Sequence, residues 1–425
     1  MTLTIFAIVL LGVMALGAPI AFALLASGVA LMIYLDIFDS VIIAQNLIKG
    51  ADSFPLLAVP FFILAGELMN AGGISKRIVN LAMALFGHIR GGLGYVAILG
   101  SVLFAGLSGS AVADTAALGA ILIPMMVKSG YNRNRSTGLI AAGGIIAPII
   151  PPSIPMIIFG VTSGVSITKL FMAGIVPGLL IAVGLIVIWW WLVRKDNMQV
   201  FPRKSGKEIV KATREAIWAL LLPVIIVAGL RGGIFTPTEA GVIAAFYALF
   251  VGLVIYRELK IQVLYKVLVA AAKMTSTVLF LVAAAMVSAW LITVADLPSL
   301  LTGLLEPLIE SPLALMLIIT LLVIALGTAM DMVPLILILT PVLMPLVNLA
   351  GIDPVYFGVV FVVAGCIGLL TPPVGTVLNV ACSVGKITLV DILKGIWPFL
   401  LVEIVVLILL ILFPSLVTVP LEWFT

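Results

Sequence analysis

Glycine and proline recur in this chain at one fixed distance. Subtracting 221 from Gly327, Pro345, Gly351, Gly365, Pro372, Pro373, Gly385, Gly395 and Pro398 gives Gly106, Pro124, Gly130, Gly144, Pro151, Pro152, Gly164, Gly174 and Pro177. With 39 Gly and 24 Pro among 425 residues, nine coincidences at a single offset mark a repeat rather than a composition effect. Both residue types interrupt helices, glycine by its backbone freedom and proline by its missing N–H. What is duplicated is therefore a pattern of breaks, and the fold must accommodate it twice.

The breaks lie within strongly apolar runs. Hydrophobic residues make up 64% of the chain and charged residues 9%, which makes it an integral membrane protein with many spans. The runs lack the ten-residue alternation of a lipid-facing barrel, so the fold class is all-α and polytopic. A formal charge of +4 gives no reason to expect a nucleic-acid partner. No Lys or Arg precedes Lys49, so the first apolar run reads as a retained span rather than a cleaved signal. Cys366 and Cys382 lie in apolar segments without a metal-ligand pattern and read as packing residues.

Apolar runs and breakers place spans near 3–17, 19–35 and 54–72, an interrupted run at 92–129, a broken run at 136–163 and a span at 172–193. Arg194, Lys195, Arg203, Lys204, Lys207, Lys211 and Arg214 then outnumber Asp196 and Glu208. This basic connector, 194–214, is expected in the cytoplasm and divides a first repeat, 1–193, from a second, 215–425. The second repeat reads as spans near 216–230, 238–256 and 274–294, an interrupted run at 313–350, a broken run at 356–384 and a span at 395–415. Residues 274–385 contain no Lys or Arg, only Asp296, Glu306, Glu310, Asp331 and Asp353; the matching 53–164 contains Lys76, Arg77, Arg90, Lys128, Arg133 and Arg135. The repeats are thus expected with inverted topology, each interrupted run forming a re-entrant hairpin whose arms fall short of the ~20 residues of a full span. Both termini are expected outside, after ten crossings. Stretches near 40–52 and 258–272 read as interfacial arms.

Unpaired backbone at membrane depth costs several kcal/mol per group unless it lines a polar cavity or binds something. Two mirrored pairs of breaks therefore point to a central site. A Gly/Ser tip offers carbonyls, hydroxyls and helix ends, and a Pro-Pro break frees carbonyls, an oxygen-rich environment suited to Na⁺ with helix N-termini left for a carboxylate. One cation and substrate cage is expected from Ser108, Gly109, Ser110 and Asp114 with Ala147, Pro151, Pro152 and Ser153, and a second from Gly327, Thr328 and Asp331 with Gly368, Thr371, Pro372, Pro373 and Gly375. Asp331 stands at the position of Ser110, because 331 minus 221 is 110. Asp114, a turn further on, is placed to brace the first hairpin.

At these residues the chain resembles a known family. The motifs Ser108 to Asp114, Ala147 to Pro155, Phe235 to Ala240 and Leu370 to Gly375 are similar to those of the large membrane subunit of tripartite ATP-independent periplasmic (TRAP) transporters, the DctM-like family. The resemblance covers essentially the whole chain. It implies an elevator-type secondary transporter of the ion-transporter superfamily, in a bacterial inner membrane, with Na⁺ as coupling ion and no cofactor or enzymatic activity. Implied partners are a small four-helix membrane subunit and a periplasmic substrate-binding protein, besides membrane lipid. The implied cargo is an organic acid, a dicarboxylate or a sugar acid of the diketogulonate type. Because the first span begins within the first few residues, the small subunit is expected as a separate chain.

Two rivals are weighed against this. A stand-alone sodium–dicarboxylate symporter of the same superfamily would need no partners; neighbouring genes for a small four-span protein and a secreted binding protein would distinguish the two. Gly106-Leu107-Ser108-Gly109 also fits the G-x-S-G of rhomboid intramembrane serine proteases, which need a His base on a later helix. The one histidine, His88, precedes the serine and neighbours Arg90 in a connector.

Overall fold

Of the repeated positions, Gly130, Pro151, Pro152 and Gly164, with Gly351, Pro372, Pro373 and Gly385, fall at or between helix ends, whereas Pro124, Gly174 and Pro177, with Pro345, Gly395 and Pro398, lie inside helices. The computed structural model describes residues 2–194, 196, 198–296 and 309–424; Lys195 and Glu306 of the charge pattern lie outside them. The first half comprises α1 (Thr2–Ala15), α2 (Ile20–Tyr34), α3 (Ser40–Ala51), α4 (Ala58–Ala71), α5 (Ile74–Phe86), α6 (Gly92–Ser108), α7 (Ala111–Lys128), α8 (Arg133–Gly144), α9 (Ile154–Ser163) and α10 (Ile167–Val193). The second comprises α11 (Gly206–Arg231), α12 (Pro237–Phe250) with a π turn over Val251–Ile255, α13 (Ile261–Val294), α14 (Pro312–Gly327), α15 (Met332–Leu349), α16 (Pro354–Leu369), α17 (Thr376–Gly385), α18 (Leu389–Leu412) and α19 (Ser415–Phe424). Shifted by 221, the starts of α7, α8, α9 and α10 fall within a residue of those of α15, α16, α17 and α18. The interrupted runs are the hairpins α6–α7 and α14–α15, and the broken runs are α8–α9 and α16–α17.

The two hairpins open toward opposite ends of the molecule. Arg90, just before α6, donates from Nη2 to the Asp196 carbonyl at 2.9 Å, and Arg135 at the start of α8 pairs with the Asp196 carboxylate at 2.5 Å. The Gln199 N–H reaches Ser129 O at 3.1 Å and the Phe201 N–H reaches Gly87 O at 3.3 Å. The basic connector thus lies across the base of the first hairpin. From there α11 carries the chain 26 residues, about 39 Å, to Arg231, whose Nη2 donates to Trp423 O at 3.0 Å. That far end also holds the base of the second hairpin, where Pro312 and Gly351 share a cleft with Pro414 and Thr418 beside α19. Basic residues crowd the connector end.

Among the described residues, eight helices are long and apolar enough to cross a membrane. The structure departs from the sequence reading at the N-terminal spans and at 258–272, and adds the helix α5 before the first hairpin. The 14 residues of α1 and the 15 of α2 rise only about 21 and 23 Å, less than the ~30 Å hydrocarbon core, so neither is a full span by itself. The stretch 258–272 is no separate arm, because α13 runs unbroken through 34 residues to Val294. Its counterpart in the first half is cut by Asp52-Ser53-Phe54-Pro55 into α3 and α4, whereas 273–276 is Lys-Met-Thr-Ser, with no breaker.

Candidate cation and substrate site

At the tip of the first hairpin, Gly109 turns the chain with φ +62°, a left-handed conformation suited to glycine. A Cβ here would stand 2.5 Å from Pro152 O and 3.0 Å from Ile154 N. The tip therefore rests directly on the α8–α9 break. Ser110 caps α7, its Oγ accepting from the Ala113 N–H at 3.4 Å. Ser108 Oγ accepts from the Ser110 N–H at 3.2 Å and donates to Asp114 Oδ1, so the brace expected of Asp114 is present. In the break, Pro151 has no N–H to offer the Ala147 carbonyl. The Pro151–Pro152 peptide is cis. Ser153 closes the far side, donating from Oγ to Pro148 O and accepting from the Met156 N–H at 3.2 Å as the cap of α9.

The second pair is built alike but tied differently. Gly327 of α14 and Gly368 of α16 cross with their backbones in contact: a Cβ on Gly368 would sit 2.8 Å from Gly327 Cα. The N–H groups of Val374 and Gly375 donate to Thr328 O at 3.2 and 3.0 Å, fastening tip to break. The Pro372–Pro373 peptide is again cis. The hydroxyls of Thr328 and Thr371 donate to Ala325 O and Ile367 O at 2.7 and 2.8 Å, leaving their lone pairs as the available groups. Asp331 caps α15, accepting from the Met332 N–H at 2.9 Å.

The two expected cages share a wall. A cavity of about 80 Å³ is lined by Gly109, Ser110, Pro148 and Ile154 from the first half and by Asp331 and Met332 from the second. Asp331 thus faces the first hairpin's tip as well as its own repeat. The N-termini of α7, α9 and α15 all begin at this level, giving the cavity three positive helix ends and one carboxylate. Met274 and Val278 of α13 and Leu369 of α16 also line it. No local signal in the sequence places α13 there, because its approach depends on how the halves pack.

His88 lies in the connector before α6 and Ser108 at that helix's far end, about 24 Å of helix away. The Ser108 proton goes to Asp114 rather than to an imidazole. Among the described residues, no group of three or more His, Cys, Asp or Glu is placed to hold a metal ion. Cys366 and Cys382 are free thiols.

Oppositely oriented re-entrant hairpins that meet broken helices around a central cavity define a polytopic membrane transporter. The chain belongs to the family of the DctM component of tripartite ATP-independent periplasmic transporters, which matches residues 7–416. It is 56% identical over 423 residues, covering 100% of both chains, to the 2,3-diketo-L-gulonate TRAP transporter large permease protein YiaN of Escherichia coli. It is 41% identical to the sialic acid TRAP transporter large permease protein SiaM of Vibrio cholerae, covering 95% of each. The fold matches that of the YdaH transporter of Alcanivorax borkumensis with a TM-score of 0.62 at 17% identity, over 89% of this chain and 88% of that one.

Proposed function

We propose that this large permease subunit imports a small organic acid across the bacterial inner membrane, driven by Na⁺. It would receive the acid from a periplasmic binding protein and work beside a small membrane subunit. The observation that carries this reading is the cavity between Ser110 and Asp331, where helix N-termini from both halves meet one carboxylate. Helix ends suit a carboxylate, and carbonyl, hydroxyl and carboxylate oxygens suit a hard cation. A sugar acid is the favoured cargo, given 56% identity to a diketogulonate permease. The protein acts by moving its cargo, without a chemical step.

In this reading the hairpins and broken helices move together as a core against α1–α4 and α11–α13. Bound Na⁺ orders the tips, and substrate binds the ordered form more tightly. By linkage each ligand raises the other's affinity equally. The test is uptake of labelled diketogulonate into proteoliposomes holding this subunit alone, or with the small subunit and binding protein. Uptake is expected only with all three components and an inward Na⁺ gradient. Robust uptake by this subunit alone would indicate a stand-alone symporter, and uptake indifferent to Na⁺ would overturn the coupling.

A further inference from the structure

At the connector end, far from the central cavity, α7, α8 and α17 enclose a separate cleft of about 240 Å³. Its apolar wall includes Ile123, Pro124 and Val127 of α7, and the charged residues that line it are Lys128, Arg133 and Lys386. The two halves touch here. A Cβ on Gly385, the last residue of α17, would stand 2.6 Å from Thr137 Oγ1, and that hydroxyl donates to Arg133 O at 2.8 Å. Lys386 therefore follows directly on a contact with the first turn of α8.

Three exposed cations thus share one cleft that no carboxylate lines. Among the described residues none of the three enters an ion pair, although Arg135 and Lys394 at the same end pair with Asp196 and Asp391. Sidedness accounts for basic residues at this end but not for these positions. Lys128, in the last turn of α7, suits the negative end of its helix. Arg133 does not, because it is the first residue of α8, where the positive helix end disfavours a cation. Lys386 holds φ +52°, a left-handed conformation unfavourable for a residue with a Cβ. At an offset of 221 the three correspond to Leu349, Pro354 and Val165. The mirrored hairpin base therefore forms without charge, and the cations serve something other than the fold.

We propose that this cleft binds an anionic phospholipid, its phosphate held by Lys128, Arg133 and Lys386 and an acyl chain lying along Ile123, Pro124 and Val127. Basic pockets between membrane helices hold such headgroups. Arginine matches phosphate oxygens with a planar fork, and lysine adds charge. The apolar wall favours a lipid over a free phosphate, which has nothing to place against it. Bound here, the lipid ties the base of the first hairpin to the end of the second broken helix. The proposal rests on the transport reading only in assigning this end to the cytoplasmic leaflet.

The test is thermal unfolding of the purified subunit in neutral detergent, titrated with phosphatidylglycerol, phosphatidylcholine or inorganic phosphate, and needs no transport. Phosphatidylglycerol is expected to stabilise wild type and the other two to do so little. The triple variant Lys128→Gln, Arg133→Gln, Lys386→Gln is compared with Arg203→Gln, Lys207→Gln, Arg214→Gln, which removes equal charge from exposed residues at the same end. At about fivefold per cation, the first should need on the order of a hundredfold more lipid for half of the full stabilisation. The second should stay within about twofold of wild type, because its cations lie outside the cleft. Lys386→Gly also relieves the left-handed backbone, so it should fold at least as well as wild type and need about fivefold more lipid. A control triple variant that shifts the titration as far as the first, or a Lys386→Gly titration that superimposes on wild type, overturns the site. Inorganic phosphate stabilising wild type as strongly as the lipid overturns the lipid in favour of a free anion. A wild type indifferent to phosphatidylglycerol overturns the proposal altogether.

Discussion

The two halves share a register and differ in how rigidly it is held. In the second, tip and break are joined by two backbone hydrogen bonds onto Thr328 O, and the helix behind them, α13, is a single rod about 51 Å long. In the first, the tip rests on its break through the closeness of Gly109 alone and is braced internally by Ser108 and Asp114, while the rod is cut at Pro55. Duplication thus fixed where helices stop, and each copy then settled its own breaks with different groups. The first half spends polar side chains where the second uses main chain. This gives the two ends of one cavity different sensitivities to what is bound in it.

All-or-none labelling offers the sharpest way to break the inverted comparison. In a background lacking Cys366 and Cys382, Arg203→Cys and Ser311→Cys are both exposed, one in the connector and the other at the base of the second hairpin. An impermeant maleimide should reach them from opposite faces of the membrane. Labelling of both from one face would remove the basis for inverted repeats.

Ser276 occupies the position of Pro55 in the other copy, 55 plus 221. Ser276→Pro would impose the first half's cut on α13, removing a helical N–H in mid-rod at about 3 kcal/mol or more. A large fall in unfolding temperature is expected. The reverse change, Pro55→Ser, sits at a helix start and should alter stability by less than about 1 kcal/mol. Equal responses would mean that continuity of α13 carries no weight.

The oxygens proposed as Na⁺ ligands come next in size. Ser108→Ala and Thr371→Ala each remove one oxygen from a tip or break, about 1–3 kcal/mol by analogy with an unmet charged hydrogen bond. That is roughly a ten- to hundredfold rise in the Na⁺ concentration for half-maximal uptake. Apparent substrate affinity should weaken at low Na⁺ and recover at high Na⁺. Ser166→Ala, which removes the cap of α10 outside the breaks, should lower stability by about 1 kcal/mol and leave the Na⁺ dependence unchanged.

The smallest effect concerns the two faces. Glu208 closes a capping box at the start of α11 on the connector side. The Lys204 ammonium, followed by the Ser205 N–H and hydroxyl, holds its carboxyl down at about 2, against an ordinary 4.5. A depressed carboxyl stabilises fully above its unfolded value and loses that contribution as pH falls through about 2. The difference in unfolding temperature between wild type and Glu208→Gln should therefore be slight near neutrality and shrink toward zero as pH falls from about 4 to 2. A gap that widens in acid would reverse the sign. Glu239 closes the matching capping box at the start of α12 on the opposite face.

Much of this architecture was legible because Gly, Pro and charge act locally. Gly109, Pro152, Pro373 and the basic connector each specify a turn, a break or a side without knowledge of distant residues. The sequence failed where the outcome depended on packing. The stretches 40–52 and 258–272 look alike as amphipathic segments, and only residues 52–55 in the one copy and 273–276 in the other decide whether the helix continues. Asp331 was legible as the counterpart of Ser110, but not as a wall of the other half's cage.

The connector has a mechanical side. From Arg194 to Ser205 it has 12 residues, enough to extend about 40 Å. Its bonds to Gly87, Arg90, Ser129 and Arg135 take up the portion from 196 to 201, and the few residues left before α11 can stretch by only about 15 Å. Any shift of the first hairpin relative to α11 beyond that reach would have to break these contacts first.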